Sequence, residues 1–410
     1  MNMRLQGTVD LPGSKSESNR ALMIAAYGGF PIEADNLSEA HDTVLLQKVL
    51  KQVEGCVPET GFTVDCEDAG TVARFMLTYL ACRPGTWIMT GTQRLCERPM
   101  APLIGALRQL GAQVECLGEE GGLPVRIQGK TLRGGKIELD ASQSSQFVSS
   151  LLMAAPLWPQ GLVVELLGRP SSLPYIDMTL DIMRQYGADA VRNGSGIVVR
   201  RKAYHPHHFT VSPDWSSASY WYEMMALGEG GELFLKGLKT NSIQGDSVVV
   251  EMFGKLGVKT NFLEDGVKLS KSKSNKLMWS EPITFDFVNT PDLFPSVFVT
   301  CIALHIDTIF IGVSTLSKKE SDRINALITE LSKIYTFINI VLDDKIIIRK
   351  SSLRKNQFDR KKVVFNTYHD HRIAMSLASL CPQTGPVTVD DPAVVNKSYP
   401  GFWDALKLRT

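Results

Sequence analysis

The feature that most constrains the fold is a pairing of helices repeated six times. Six segments open on small or polar residues and then run, apolar nearly all round, for the length of a helix, beginning near Ser14, Ala69, Ser144, Asp214, Asp292 and Asp370. A helix without a polar face has to be surrounded by protein. Each is followed by an amphipathic segment with charge on one face, at 42–53, 99–110, 175–186, 247–256, 321–333 and 399–406. One buried and one surface helix therefore recur six times.

Helix pairs alone do not fill the repeat. Gly111, Gly187 and Gly257 close three of the amphipathic segments and lead into β-rich stretches, the pattern of a C-cap glycine followed by a strand. They stand roughly 70–76 residues apart, too long a period for a solenoid of helix pairs. Stretches such as Gly161-Leu-Val-Val-Glu-Leu and Gly196-Ile-Val-Val-Arg supply strands, so the unit is a β/α repeat. Six units divide into three plus three, joined at the polar stretch Ser212-Pro213-Asp214, and a chain of 410 residues has the length for two such lobes. The expected class is α/β, with two similar lobes.

Charge and cysteine usage exclude several partners. Lys and Arg number 44 against 43 Asp and Glu, so no global basic field draws nucleic acid or anionic membrane, and any anion must be held by local clustering. The longest apolar runs, such as 147–157, are broken by Ser or Pro well short of the ~20 residues of a membrane span. Met1-Asn2-Met3-Arg4-Leu5 enters a strand-like stretch without the apolar core of a signal peptide, which predicts a cytoplasmic protein. The seven cysteines are odd in number and include no Cys-x-x-Cys, so reduced structural thiols are expected in place of a disulfide framework or a zinc cluster. Basic residues are dense at 268–276 and 345–362, read as a solvated hairpin and loop.

Chemistry concentrates at the helix starts. A buried helix that opens on Gly, Ser or Asp presents backbone N–H groups and a positive dipole end, a ready anion site. Leu11-Pro-Gly-Ser-Lys-Ser-Glu-Ser-Asn-Arg20 is the richest, because Lys15, Ser16 and Arg20 add cationic and hydroxyl donors. The alternative is that Ser16 or Ser18 merely caps the helix while Lys15 and Arg20 face solvent. At Asp68-Ala-Gly-Thr71, Gly70 lets a ligand approach the backbone, or simply makes a tight turn. Ser142-Gln-Ser-Ser-Gln146 offers hydroxyls and an amide, or caps.

Six motifs in order carry a resemblance: Leu-Pro-Gly-Ser-Lys-Ser-x-Ser-Asn-Arg at 11–20, Ala-Gly-Thr at 69–71, Glu-Arg-Pro at 97–99, Ser-Ser-Gln-Phe at 144–147, Lys-Glu-Ser-Asp-Arg at 319–323 and Asp-His-Arg at 370–372. The chain resembles the 5-enolpyruvylshikimate-3-phosphate synthases over nearly its whole length. That resemblance implies two lobes, each of three βαβαββ units with buried helices inside a ring of sheets, one formed by 14–212 and the other by 1–13 plus 213–410. It implies a transferase of the shikimate pathway, on the route through chorismate to the aromatic amino acids. The enzyme moves the enolpyruvyl group of phosphoenolpyruvate to the 5-hydroxyl of shikimate 3-phosphate and releases phosphate, by addition and elimination in a closed interlobe cleft. No cofactor and no metal are implied, nor a nucleic-acid or membrane partner, and a monomer is expected.

Both substrates are anions with a phosphate and a carboxylate each, so such a site needs several Lys, Arg and pre-aimed N–H donors. Carried over motif by motif, the resemblance gives Ser16 and Arg20 to shikimate 3-phosphate, with Ser144, Ser145 and Ser172 as hydroxyl contacts, Lys319 beside them, and Lys15 reaching both substrates. Gly70, Arg98, Arg323, Arg372 and Lys397 would surround phosphoenolpyruvate, the planar Arg fork matching carboxylate and phosphate oxygens. Gln146 would bridge the two. Asp292 would hold the 5-hydroxyl as acceptor and Glu320 would deliver the proton to C3, with Lys15 as the third catalytic group. Asp292 read alone is a helix cap, and His369-Asp370-His371 is a cap with packing. Glyphosate, which the family binds in the phosphoenolpyruvate site, should be weakened more than substrate by Gly70→Ala, through a methyl set against its phosphonate.

Some positions depart from the family. Asp68 stands where Asn is common, Thr315 and Ser317 stand where many members have a polar amide and an Arg, and the stretch between Asp42 and Asp68 is short, as if the first unit were trimmed. Cys96 lies two residues before Arg98, too close for the loop cysteine of the sister family that acts on a UDP-sugar. The alternatives are a fold relative that binds another anion and an RNA-end-processing relative; the balanced charge disfavours the second.

Overall fold

The computed structural model describes residues 3–271, 281–337, 339–349, 354–355 and 363–407. The chain separates into two compact units, one of Ser14–Val211 and one joining Met1–Gly13 to Ser212–Thr410. Ser212 thus falls with the second unit, one residue before the expected join. Val211 N–H still donates to Asp35 O at 3.1 Å inside the first unit, whereas Asp214 N–H donates to Pro12 O at 2.9 Å and Pro213 bridges Gly13 inside the second.

In the first unit the buried helices α1 (Lys15–Gly28), α3 (Gly70–Ala81) and α5 (Ser145–Ala154) alternate with the amphipathic α2 (His41–Val53), α4 (Ala101–Gln109) and α6 (Leu173–Gln185). In the second, the buried α7 (Trp215–Leu227), α9 (Phe294–Ala303) and α11 (His371–Ala378) alternate with α8 (Val249–Lys255), α10 (Arg323–Ser332) and α12 (Phe402–Lys407). Every residue of α7, α9 and α11 is buried, as a helix apolar on all sides requires. The buried helices pack on one another within each unit, α1 with α3 and α5, and α9 with α7 and α11. Gly111, Gly187 and Gly257 take φ of 93°, 91° and 91°, the left-handed conformation that ends a helix at glycine.

Four of the six repeats build a four-stranded sheet on one plan. The first two strands of the repeat pair in parallel, and the last two form a hairpin whose final strand pairs antiparallel with the second. Phe62–Asp65, Gly85–Thr90, Gln113–Cys116 and Val125–Gly129 form one such sheet. Gly135–Asp140, Leu162–Leu167, Asp189–Asn193 and Gly196–Arg200 form the next. In the second unit, Leu5–Val9 supplies the first strand beside Gly231–Lys236, with Lys259–Leu263 and Gly266–Lys271 as the hairpin, so residues far apart in sequence share one sheet. Ile283–Asp286, Thr308–Ile311, Asn339–Leu342 and Lys345–Ile348 repeat the plan.

Among the described residues the other two repeats do not show the full βαβαββ pattern. There, around α1 Glu33–Asp35 and His208–Thr210 pair, and around α11 Val364–Phe365 and Thr388–Val389 pair. After α2 the chain goes from Val53 to Phe62, which already opens the next sheet, and this leaves no room for a hairpin. The basic stretches 268–276 and 345–362 fall largely outside the described residues; within them, Gly266–Lys271 and Lys345–Ile348 are strands. No helix among the described residues is long and apolar enough to cross a membrane.

Candidate active site

The first unit gathers cations and helix N-termini. Ser14, and neither Ser16 nor Ser18, caps α1, its Oγ accepting from Glu17 N–H at 3.4 Å, while Ser18 Oγ accepts from Ser38 N–H at 3.0 Å. Ser16 therefore stands in the first turn without the capping role, next to Lys15, whose Nζ donates to Asp42 Oδ2 at 2.9 Å. Arg20 is turned inward. Its Nε donates to Thr179 Oγ1 at 2.7 Å, Nη1 to Ser16 O at 2.9 Å, and Nη2 to Ser149 Oγ at 3.3 Å and Tyr175 O at 3.2 Å, tying α1 to α5 and α6. Burial lowers its pKa to about 10 against the opposing effect of Tyr175 and Glu17, so the group remains a cation at neutral pH.

At the start of α3 two guanidinium groups meet. A Cβ on Gly70 would lie 2.5 Å from Arg98 Nη1 and 3.0 Å from Arg74 Nη1, so a side chain here would have to push the Arg98 guanidinium aside. Arg74 Nη1 donates to Gln146 Oε1 at 2.6 Å, and Gln146 Nε2 donates to Thr71 Oγ1 at 3.0 Å, which brings the first turns of α3 and α5 together. Ser144 caps α5, accepting from Gln146 N–H at 3.2 Å, and Ser145 is buried behind it. Ser172 precedes α6 in the left-handed region, φ 57°, and makes no side-chain cap bond. Strain of this kind in a non-glycine residue is a mark of functional sites.

The second unit holds a carboxylate cluster around one arginine. Arg323 is buried at the start of α10; its Nε donates to Asp370 Oδ2 at 2.9 Å, Nη1 to Asp292 Oδ1 at 3.0 Å and Nη2 to Glu320 Oε2 at 3.0 Å. Arg372 closes the other side, its Nη2 donating to Asp292 Oδ2 at 2.7 Å and its backbone N–H to Asp370 Oδ1 at 2.9 Å. Asp292 lies in the turn Pro291–Leu293 before α9 and binds two guanidinium groups; it is not the cap of that helix. Burial alone would raise its carboxyl, but Arg372, Lys319 and Arg323 outweigh burial and hold it well below the usual carboxylate range. Burial would likewise lower Arg323, and Asp370, Glu320 and Asp292 together push it up.

Lys319 and Glu320 follow the short turn Leu316–Lys318, where Thr315 is half-buried and Ser317 exposed. Lys397 is buried at the end of the turn Pro392–Lys397, which packs on α11. Asp370 caps α11 as the triplet suggested, but it also anchors Arg323. His369 is exposed and His371 buried, so the two rings do not converge. Cys96 Sγ donates to Gly91 O at 3.6 Å.

Sequence reasoning missed several members of these clusters. Arg74 carried the clearest signal, a cation inside an otherwise apolar helix one turn after Gly70. Asp42 and Asp246 gave none, and Asp370 gave only its capping place, because the partners of all three lie far away in the chain. Asp246 is buried and accepts from Ser216 Oγ. Burial, helped by Asp292 and Asp214 and opposed by Ser216 and Arg372, pushes its carboxyl up to about 7. A carboxyl raised in the folded state adds its full share of stability below the unfolded value of ~3.9 and loses it as pH rises through about 7. Asp246→Asn, which cannot ionise and still accepts from Ser216, should therefore gain on the parent by on the order of 2 kcal/mol between pH 4.5 and pH 8. Parallel melts at the two pH values check this, and an unchanged gap between the curves would refute it.

Comparison with known proteins shows the family of the chain. The family profile described as EPSP synthase (3-phosphoshikimate 1-carboxyvinyltransferase) matches residues 1–406. A 3-phosphoshikimate 1-carboxyvinyltransferase of Bacteroides fragilis is 40% identical over 411 residues, covering 98% of this chain and 95% of the relative; one of Vibrio cholerae is 33% identical over 422 residues, covering 98% and 96%. Among solved structures, an EPSP synthase from Acinetobacter baumannii superposes with a TM-score of 0.77 at 24% identity, over 100% of this chain and 96% of that one. The enolpyruvyl transferase NikO from Streptomyces tendae, at 14% identity and a TM-score of 0.73 over 99% and 95%, shares the fold. With its motifs in order along the whole chain and its buried helices opening on the expected side chains, the chain belongs to the EPSP synthase family of enolpyruvyl transferases.

Proposed function

We propose that this enolpyruvyl transferase uses Asp292 and Glu320 of the Arg323 cluster for proton transfer while the cations at the starts of α1 and α3, together with Arg323, Arg372 and Lys397, bind its two anionic substrates, shikimate 3-phosphate and phosphoenolpyruvate. The observation that carries the reading is that one guanidinium holds Asp292 and Glu320 at 3.0 Å each, fixing a candidate base and a candidate acid in one frame. Asp292 is ionised at neutral pH and accepts the 5-hydroxyl hydrogen. With its basicity lowered by two arginines it orients that hydroxyl first, and takes the proton as the new C–O bond makes the oxygen acidic. Glu320 gives a proton to C3 as the hydroxyl oxygen adds to C2. In the second half the proton held by Asp292 passes to the departing phosphate as the C2–O bond breaks, and the C3 proton returns to Glu320, which restores the C2–C3 double bond as an enol ether and returns both carboxyl groups to their starting states.

Lys15, steadied by Asp42, serves both substrates, and Ser16, Ser144, Ser145, Ser172, Gln146 and Lys319 contact shikimate 3-phosphate. Arg20, with its donors on α1, α5 and α6, supports that pocket from beneath and adds positive potential. Gly70, Arg98, Arg323, Arg372 and Lys397 are assigned to phosphoenolpyruvate, with Arg74 beside Gly70 and Arg98 in the first unit and Arg323 sharing Asp292 with Arg372 in the second. Phosphate release on mixing the protein with both substrates, and none when either is omitted, is the test; release with one substrate alone would point to a different reaction.

Gly70→Ala sharpens the assignment. The added methyl meets Arg98 and Arg74 before any ligand, and both are ends of flexible side chains, so the helix accepts the change and gains propensity of up to ~1 kcal/mol. The displaced Arg98 should cost substrate as well as inhibitor, beside the methyl set against the phosphonate that the resemblance implies. The KM for phosphoenolpyruvate should rise by roughly tenfold with the melting temperature unchanged or higher; an unaltered KM would separate Arg98 from this substrate.

A further inference from the structure

We infer that Glu330 is a positioning residue for the Arg323 cluster, acting through the loop that delivers Asp370. Glu330 lies wholly buried on α10, the helix that Arg323 opens. Its Oε2 accepts from Asn366 N–H at 2.8 Å and from Lys333 Nζ at 2.5 Å, and its Oε1 accepts from Tyr368 O–H at 2.9 Å and Asn366 Nδ2 at 3.3 Å. Three of the four bonds come from residues 366–368, directly before Asp370, and Lys333 also donates to Val364 O at 2.9 Å, just upstream. The loop is held from a second side by Asp390, whose Oδ1 accepts from Thr367 N–H at 2.8 Å.

The loop needs holding. Tyr368 and His369 both adopt φ of 55°, a left-handed pair of non-glycine residues in succession. Such conformations persist only where the surroundings over-determine them. What the strained turn achieves is to bring Asp370 to full burial with one oxygen on Arg323 Nε and the other on Arg372 N–H. Because Arg323 and Glu330 share one helix, the tether fixes the Asp370 loop to the same rigid body that carries the guanidinium it serves. Three of the four bonds to Glu330 come from the loop and the fourth from Lys333 at the end of its own helix, and none of these donors is a group assigned to chemistry.

The inference rests on the assignment of Arg323 and Arg372 to phosphoenolpyruvate. Two variants test it in the full chain. Glu330→Gln keeps the shape but leaves one pair of donors facing an amide nitrogen, and Tyr368→Phe deletes a single O–H from an exposed ring that leaves the core intact. With assays run well below each melting temperature, the KM for phosphoenolpyruvate should rise about threefold in Tyr368→Phe and about tenfold in Glu330→Gln, while the KM for shikimate 3-phosphate stays within about twofold. A purely structural role would lower the melting temperature and the active fraction and leave both KM values alone; that result overturns the inference. Should Glu330→Gln fail to fold, Tyr368→Phe decides. A parent enzyme that releases no phosphate from the two substrates would end the functional assignment itself, whereas an active parent with unaltered variants ends only the role of Glu330.

Discussion

Arg323→Met should be the most damaging single substitution in the second unit, lowering stability by about 3–5 kcal/mol and turnover by roughly 10³-fold or more. The guanidinium is buried and bonded to Asp370, Asp292 and Glu320 at once, and Met fills similar volume with no charge. Three carboxylates then share one site, with Asp370 fully buried among them. The sign of the pH effect follows from Asp292, whose carboxyl the arginines depress. A depressed carboxyl contributes stability above the unfolded value of ~3.9 and loses it as pH falls through the folded value. Losing Arg323 removes its part of that contribution, Arg372 and Lys319 keeping theirs, so the deficit should be present in full at pH 7–8 and shrink only as pH falls below ~3.9. Arg323→Lys keeps the charge but cannot reach three carboxylates from one nitrogen, so it should recover part of the stability and little of the turnover. Thermal melts at several pH values, beside phosphate-release rates, distinguish these outcomes; wild-type turnover in the Lys variant would show that the forked geometry is irrelevant.

The six buried helices were legible because each repeats a local signal, apolar residues on all faces behind a polar start. The C-cap glycines at 111, 187 and 257 were legible for a similar reason, since a left-handed residue is required within a few positions of a helix end. Where the signal depends on contacts between distant residues, the sequence was silent. Nothing local in Asp370 indicates that its second oxygen meets Arg323, 47 positions away, and nothing in Arg20 indicates that its donors reach Thr179, 159 positions away. The capping role at the first helix fell to Ser14 and not to Ser16 or Ser18, because the helix begins at Lys15 and only Ser14 faces the Glu17 amide. The six repeats are also less alike than the pattern of helices suggests: strands of two residues, such as Val364–Phe365, leave almost no periodicity to read. Motif resemblance supplied the chemical roles, and the geometry adds Asp42, Arg74 and Asp370, the residues that hold those groups in place.

The two carboxylates on Arg323 should respond differently to loss of charge. Glu320→Gln can turn its amide oxygen toward Arg323 Nη2, preserving the 3.0 Å bond, and loses only the transferable proton. Turnover should fall by roughly 10²-fold or more while the affinities for both substrates stay nearly unchanged. Asp292 has no such freedom, since Oδ1 accepts from Arg323 and Oδ2 from Arg372 at 2.7 Å, so an Asn amide must aim its NH₂ at one of two guanidinium groups. Donor facing donor displaces Arg323 or Arg372, and the 5-hydroxyl loses its anionic acceptor as well. Asp292→Asn should therefore lose turnover together with affinity for shikimate 3-phosphate and, through Arg372, for phosphoenolpyruvate. Calorimetric titration of each variant with each substrate, alongside phosphate-release rates, reads the two effects separately. Near-normal turnover in Glu320→Gln would mean that C3 receives its proton from another group; Lys15, held at 2.9 Å from Asp42 and already assigned to both substrates, would be the first to test.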